Sequence, residues 1–210
     1  MNYLAHIYLA EDSEESILGN MMGDFVKGAI ENNYHPEIAK GIRTHRKVDA
    51  FTDSHEKFRA SKKLMSPGRR RFAGIIIDLA FDHFLAKNWA SYSDTELDRF
   101  IHKTYELLKR HRTALPERLR FFLPRMIDED WLGSYCTLDG TGQAIDRISE
   151  RLRRRFDREN ALPGAIEEVE SNYIELETNF NAFFPDLISF VGNLRKEEPE
   201  DLEFSILRGY

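Results

Sequence analysis

Apolar residues recur at helical spacing along most of the chain, and glycine and proline mark the breaks between the runs. Asp12 followed by Glu15 reads as a capping box that opens a helix to about Gly28. Pro36 stands near the start of the next helix, which carries Ile38, Ile42, His45 and Asp49. Pro67-Gly68 is a break, and a strongly apolar helix follows over 70–89. Ser93 with Glu96 forms a second capping box, for a helix to about Arg112. Pro116 sits in the first turn of a segment bearing Leu119, Phe122 and Leu123, which Pro124 ends or kinks. Residues 138–142 read as a turn before a long helix to about Arg158. Pro163 opens another helix to about Phe184, and Pro185 begins the last. No period-two run with turn residues on both sides stands out. The pattern predicts an all-α protein, a single compact helical domain over 1–210 with about seven helices around one core.

The segment 70–89 has chemical consequences. At 100° per residue the wheel from Ile75 to Ala86 is apolar almost all round, with Asp78, Asp82 and His83 as its polar positions. A helix apolar all round is buried, so Asp78 and Asp82, four apart on one face, are expected to be buried too. Two buried carboxylates cost several kcal/mol each unless paired or metal-bound. A cation is therefore expected between them. A metal is the economical answer, and an arginine such as Arg46 is the alternative.

Further nitrogen and oxygen donors gather in the same half of the chain. His6 lies in an apolar segment, and Asp24 sits among Leu18, Met21, Met22 and Phe25. His45 and Asp49 form an i, i+4 pair, and Asp53 and His55 follow closely. Ligands of this kind, without sulfur, suit Mn, Fe, Mg or Zn in a hydrolytic site. Taken singly, each residue has a plainer reading. His6 could be a satisfied core histidine, Asp24 a surface partner of Lys27, and His45 with Asp49 a surface pair.

Composition narrows the class. One cysteine, Cys136, leaves no internal disulfide and no cysteine-based zinc site. No apolar run reaches the length of a membrane helix and no leader pattern is present, so a cytoplasmic protein is expected. The net charge of −6 argues against nonspecific nucleic-acid binding, and no nucleic-acid motif is present. The charge is uneven. Arg69, Arg70 and Arg71 form one basic cluster, and Arg151, Arg153, Arg154, Arg155 and Arg158 form another, while 167–203 is acidic. Such basic patches can steer an acidic partner, or they can be merely solvated or paired with the acidic stretch.

Four blocks occur in order: NYLAHIYLA at 2–10, LGNMMGDFVKG at 18–28, GIRTHRKVDAFTDSH at 41–55 and RRFAGIIIDLAFDHFLAKNW at 70–89. Together they resemble the acyl carrier protein phosphodiesterase family. The resemblance implies an all-α fold related to the HD-type metal-dependent phosphohydrolases, in a variant of their pattern. It implies hydrolysis of the phosphodiester joining 4′-phosphopantetheine to a serine of acyl carrier protein, with a divalent metal, typically Mn²⁺. The matching positions are His6, Asp24, His45, Asp49, Asp78, Asp82 and His83. On that basis His6, Asp24, Asp78 and Asp82 are the expected ligands. His45 or Asp49 is expected to move a proton, and Arg46 or Arg43 to neutralise phosphoryl charge. His83, Asp53 and His55 are additional candidates. Arg69, Arg70, Arg71, Arg151 and Arg154 are the expected partner-binding residues. Two rival readings are a phosphohydrolase acting on a small phosphoester or nucleotide, and a non-catalytic helical binding module.

Overall fold

Residues 73–87 are apolar round nearly the whole helical circumference, and the computed structural model buries them accordingly. The structure describes residues 1–30 and 33–197, and the end of the acidic stretch, 198–203, lies outside them. In chain order the helices are α1 (Tyr3–Tyr8), α2 (Glu14–Met22), α3 (Pro36–Ser54), α4 (Glu56–Lys63) and α5 (Ala73–Lys87). They continue with α6 (Leu97–Arg110), α7 (Glu117–Asp128), α8 (Leu138–Phe156), α9 (Ile166–Ser171) and α10 (Tyr173–Glu197). No strand occurs among the described residues, and no helix there is long and apolar enough to cross a membrane.

Helices α5 and α10 form the centre of one core. Phe81 meets Phe180 and Phe183 at ring-centroid distances of 5.5 and 5.4 Å, and Phe84 meets Phe180 at 5.8 Å. Offset and edge contacts of this kind add to simple area burial. Helix α4 adds Phe58, 5.8 Å from Phe81. Helices α1 and α8 pack on other faces of α5.

Helices α2 and α3 approach each other most closely at two glycines. A Cβ added to Gly19 would stand 2.3 Å from the Ile38 carbonyl oxygen and 2.8 Å from the Gly41 Cα. Only hydrogen fits there, so the pair sets the separation of the two helices. That separation in turn fixes the distance from α3 to the turn that follows α2.

Several element boundaries differ from those read in the sequence, each for a local reason. The cap of α2 is Ser13, not Asp12. Its hydroxyl accepts from the Ser16 amide at 3.1 Å, and Ser16 Oγ accepts from the Glu11 amide at 3.0 Å. Helix α2 stops at Met22 and tightens into a 3₁₀ turn over Gly23–Phe25, short of Gly28. Ser93 Oγ accepts from the Thr95 amide, and α6 begins later, at Leu97, without a side-chain cap. Thr137 caps α8, so 138–142 is helix rather than turn. The chain breaks at Asn172, and α10 then runs through Pro185. An interior proline costs about 3 kcal/mol. Here Asn181, which loses its amide partner, is exposed to water, while Phe183, Phe184 and Leu187 are buried and carry the helix onward.

Arg69 is also explained by the fold. Its guanidinium donates to the carbonyl oxygens of Ala161 at 2.9 Å and Pro163 at 2.8 Å, and to Glu168 at 2.6 Å. It fastens the segment between α8 and α9 to the start of α5 and does not face outward to a partner, as the basic-cluster reading expected. Arg70 and Arg71 remain exposed.

The glycine contact gives a test with an internal control. Gly19→Ala should lower stability by about 1–3 kcal/mol, because its Cβ meets backbone that cannot yield. Gly74→Ala, in α5 with nothing within 4 Å of its Cβ, should be neutral or stabilising by up to about 1 kcal/mol. Thermal unfolding followed by far-UV circular dichroism measures both. Equal melting temperatures would show that the α2–α3 contact is looser than described.

Candidate active site

Two helices and one turn bring the site together. Helix α1 supplies His6, α3 supplies His45 and Asp49 one turn apart, and the 3₁₀ turn after α2 supplies Asp24. His6 and His45 are buried at 2% exposure, with their rings stacked 3.7 Å apart and 17° from parallel. The Asp49 carboxylate spans both. Its Oδ1 lies 3.1 Å from His6 Nε2, and its Oδ2 lies 3.2 Å from His45 Nε2. Asp24 Oδ1 stands 3.4 Å from the same His45 nitrogen.

Backbone fixes the orientation of His45. Its Nδ1 donates to the Asn20 carbonyl oxygen at 2.8 Å, which leaves Nε2 aimed at the two carboxylates. Gly23 packs flat against the ring. An added Cβ would stand 2.2 Å from His45 Cγ and 2.3 Å from Cδ2.

The electrostatics follow from this geometry. Burial pushes the His6 ring down, and His45 beside it adds to the effect, to about 4. Burial would also push His45 down, but the Asp24 and Asp49 carboxylates outweigh it and raise the ring to about 9. Two rings in van der Waals contact do not both carry charge. Burial raises the carboxyls of Asp49 and Asp24 in isolation. The His45 ring overcomes this, leaving Asp24 lowered and Asp49 well below the usual carboxylate range, with His6 helping at Asp49.

His45 Nε2 is buried and has no hydrogen-bond partner of good geometry. A neutral nitrogen aimed at two carboxylates is unfavourable unless a positive charge stands at that point. A proton can supply it, and so can a metal ion. His6, His45 and Asp49 offer one donor atom each, all within 4.8 Å of one another, so these residues could hold a metal. The donor set is nitrogen and oxygen, which fits a hydrolytic divalent ion.

Asp78 and Asp82 lie apart from this trio. Asp82 is fully buried as expected, but both its oxygens accept backbone amides. Oδ1 receives Asn2 at 3.2 Å, and Oδ2 receives Leu4 at 2.8 Å. It holds the first turn of α1, and burial raises its carboxyl to about 7. Asp78 is half-buried, and its Oδ1 lies 2.7 Å from the Met1 amino nitrogen. In this structure the two carboxylates are met by backbone amides and the Met1 amino group, and Arg46 is bound elsewhere.

The remaining candidates have other tasks. Arg46 is exposed and donates to the carbonyl oxygens of Val26 at 3.0 Å and Gly28 at 3.3 Å, so it ties down the segment after Asp24. Arg43 is half-buried and outside the cleft described below. His55 caps α4 by accepting from the Lys57 amide and reaches Asp186 on α10 at 3.2 Å. Asp53 is exposed and pairs with Lys62 at 3.2 Å. His83 is buried between the Tyr135 carbonyl oxygen at 2.8 Å and the Tyr173 hydroxyl at 3.0 Å.

A cleft of about 1030 Å³ opens beside the trio. One wall carries Asp24, Asp49, Asp53 and Asp78. The opposite wall, from α7, α8 and the segment between them, carries Phe122, Trp131, Arg147, Arg151 and Arg154.

The family model for acyl carrier protein phosphodiesterase matches residues 1–187. The chain belongs to the acyl carrier protein phosphodiesterase family. The curated acyl carrier protein phosphodiesterase of Photorhabdus laumondii is 34% identical over 194 residues, covering 92% of this chain and 96% of the relative. That of Serratia proteamaculans is 35% identical over 189 residues, covering 90% and 96%. One from Escherichia coli O157:H7 is 32% identical over 190 residues, again covering 90% and 96%. No solved structure matches the chain.

In this member of the family, sequence reasoning missed the residues that set the site without reacting in it. Gly23 and the Asn20 carbonyl both hold His45, and Thr52, one turn after Asp49, lines the cleft with a buried hydroxyl that has no hydrogen-bond partner. The one available signal for Gly23 is a glycine immediately before Asp24 at the end of an apolar helical run.

Two predictions follow from this geometry. Gly23→Ala should displace the His45 ring and weaken Mn²⁺ binding by about tenfold or more, with helicity unchanged, as read by calorimetric titration and circular dichroism. The metal-free protein should also lose stability as pH rises from about 6.5 towards 9, while below 6.5 His6 and the buried Asp82 carboxyl, raised to about 7, act in opposite directions. His45 is raised to about 9 in the folded chain, so its contribution is complete below 6.5 and is lost as pH rises towards 9. His6 is depressed to about 4, so its contribution is lost as pH falls from 6.5 towards 4. Melting temperatures of chelator-treated protein from pH 5 to 9 measure this. A flat profile up to pH 9 would remove the His45–carboxylate pairing.

Proposed function

We propose that this chain hydrolyses the phosphodiester joining 4′-phosphopantetheine to a serine of acyl carrier protein, with a divalent metal at His6, His45 and Asp49. The observation that carries the reading is the pair of stacked, buried histidines bridged by one carboxylate at the edge of a large cleft, in a chain of this family. Asp24 is the next donor in reach of the same point. The nitrogen and oxygen donors suit Mn²⁺, among other ions. When bound, the metal supplies Lewis acidity towards the phosphoryl oxygens and lowers the pKa of water.

The chain's own residues hold and orient. The Asn20 carbonyl keeps the His45 proton on Nδ1, and Asp49 keeps both rings in register. Asp78 lines the same wall and holds the Met1 amino group beside Asp49. In the overall change water adds to phosphorus, the bond from phosphorus to the serine oxygen breaks, and that oxygen takes up a proton. The products are apo acyl carrier protein and free 4′-phosphopantetheine. A cytoplasmic site of action accords with this substrate. Exposed Arg70 and Arg71, and Arg154 at the cleft, offer an acidic carrier a basic approach.

Intact mass spectrometry tests the reading. Holo acyl carrier protein incubated with the enzyme and Mn²⁺ should lose the mass of its phosphopantetheine group, and a chelator should prevent it. Asp49→Asn should reduce turnover by at least about a hundredfold with the helical content unchanged. An unchanged carrier mass alongside activity on a small phosphoester would move the reading to small-molecule substrates.

A further inference from the structure

The cleft has unlike walls, and that poses an electrostatic problem. Its site wall carries four carboxylates, Asp24, Asp49, Asp53 and Asp78. A phosphodiester is itself an anion, and repulsion in a partly buried cleft is stronger than in water. Arg46, the cation expected to meet it, is bound to the carbonyl oxygens of Val26 and Gly28. The Met1 amino group beside Asp78, and the metal when bound, offset part of this charge, and further cations stand on the other wall.

Five arginines stand there, and four have other partners. Arg125 donates to Glu129 at 2.7 Å, and Arg154 donates to Glu150 at 2.7 Å. Arg147 lies over the Trp131 ring and reaches Ser134 and Glu129. Arg155 lies over the ring of exposed Phe156. Arg151 is half-buried and pairs with no carboxylate among the described residues. It lines the cleft together with Tyr3, and its charge acts on the Tyr3 hydroxyl. Tyr3 precedes His6 by three residues on α1, which puts the two on neighbouring positions of one helical face, and its ring stacks on Phe25, the residue after Asp24. Tyr3 thus lines the same cleft as Arg151 from the helix that carries His6.

We propose that Arg151, together with the Tyr3 hydroxyl, is the anion-binding element of the site and grips the non-bridging oxygens of the scissile phosphodiester. The inference rests on the phosphodiesterase reading above and adds to it the residues that hold the phosphoryl group. A guanidinium presents paired donors at the spacing of two phosphoryl oxygens, and the phenol adds a third donor beside them. Burial, with Asp24 adding to it, holds the Tyr3 hydroxyl up at about 12, so it remains a donor at neutral pH. Arg151 is thereby a substrate-contacting residue rather than one that steers the carrier from outside.

Two substrates separate these roles. Holo acyl carrier protein has both a carrier and a phosphodiester, whereas bis(p-nitrophenyl) phosphate has the phosphodiester alone. Arg151→Ala should reduce kcat on both by on the order of a hundredfold, with Mn²⁺ affinity unchanged. Arg151→Lys should recover part of the loss, because an ammonium keeps the charge without the fork. A loss confined to KM for the carrier, with bis(p-nitrophenyl) phosphate turnover intact, would make Arg151 a docking residue and overturn the proposal. Unchanged turnover on both would overturn it too. If wild type cleaves only the carrier, the division between kcat and KM on that substrate decides in the same way. If Arg151→Ala melts early, Tyr3→Phe, which removes one oxygen, takes its place. A severalfold fall in kcat at an unchanged melting temperature supports the proposal, and no change overturns it. Wild-type protein inert on both substrates would instead remove the phosphodiesterase reading, and the inference with it.

Discussion

One carboxylate shared by two stacked imidazoles is the interaction on which the site depends. The Asp49 oxygens reach His6 and His45 at 3.1 and 3.2 Å, and the rings stand 3.7 Å apart. Each ring comes from a different helix, so the contact requires α1 to be held in place against α3. Alone, α1 could not hold such a position, because six residues are too few for a stable isolated helix. Asp82 of α5 compensates by accepting two amides at its first turn. The glycine contact between α2 and α3 then places the Asn20 carbonyl and Gly23 against His45. The buried aspartate of the central helix therefore serves the site without touching it.

The sequence showed that helix clearly and its partners poorly. An all-apolar circumference implies burial, and burial of a carboxylate implies compensation. Both steps hold for Asp82. The nature of the compensation was not legible, because it comes from amides some 80 positions away, in a helix too short to show a period. The trio was half visible. His45 and Asp49 announce themselves at i, i+4, whereas the pairing of His6 with them depends on a ring contact across 39 positions. The resemblance collected the right segments, but four matching blocks do not say which carboxylate faces which histidine.

Charged residues were the least legible for the same reason. Arg69 and Arg70 are neighbours in one basic cluster, yet Arg69 fastens two carbonyls of the segment between α8 and α9 and Glu168 of α9, while Arg70 is exposed. A side chain with five donors takes whatever acceptors the tertiary structure supplies, and sequence spacing carries no record of them. Pro185 makes the complementary point for the backbone. Its local signal says stop, but the three buried apolar residues that flank it outweigh one missing amide.

A protein of net charge −6 that takes an anionic substrate is not a contradiction once distances are considered. Screening confines surface fields to about 8–10 Å at physiological salt, so the total charge governs little at the reacting group. What acts there is the local arrangement across the cleft. The carboxylate wall holds the imidazoles and gathers positive charge, first as the proton on His45, which Asp24 and Asp49 hold up to about 9, and, in the proposed enzyme, as a metal. The opposite wall already ties most of its arginines to carboxylates and rings of their own, which keeps it from collapsing onto the acidic side. Arg151 is exempt from that pairing and shares the cleft with the neutral Tyr3 hydroxyl. A cleft built this way can stay open without its ligand and still present a cation where an anion must sit.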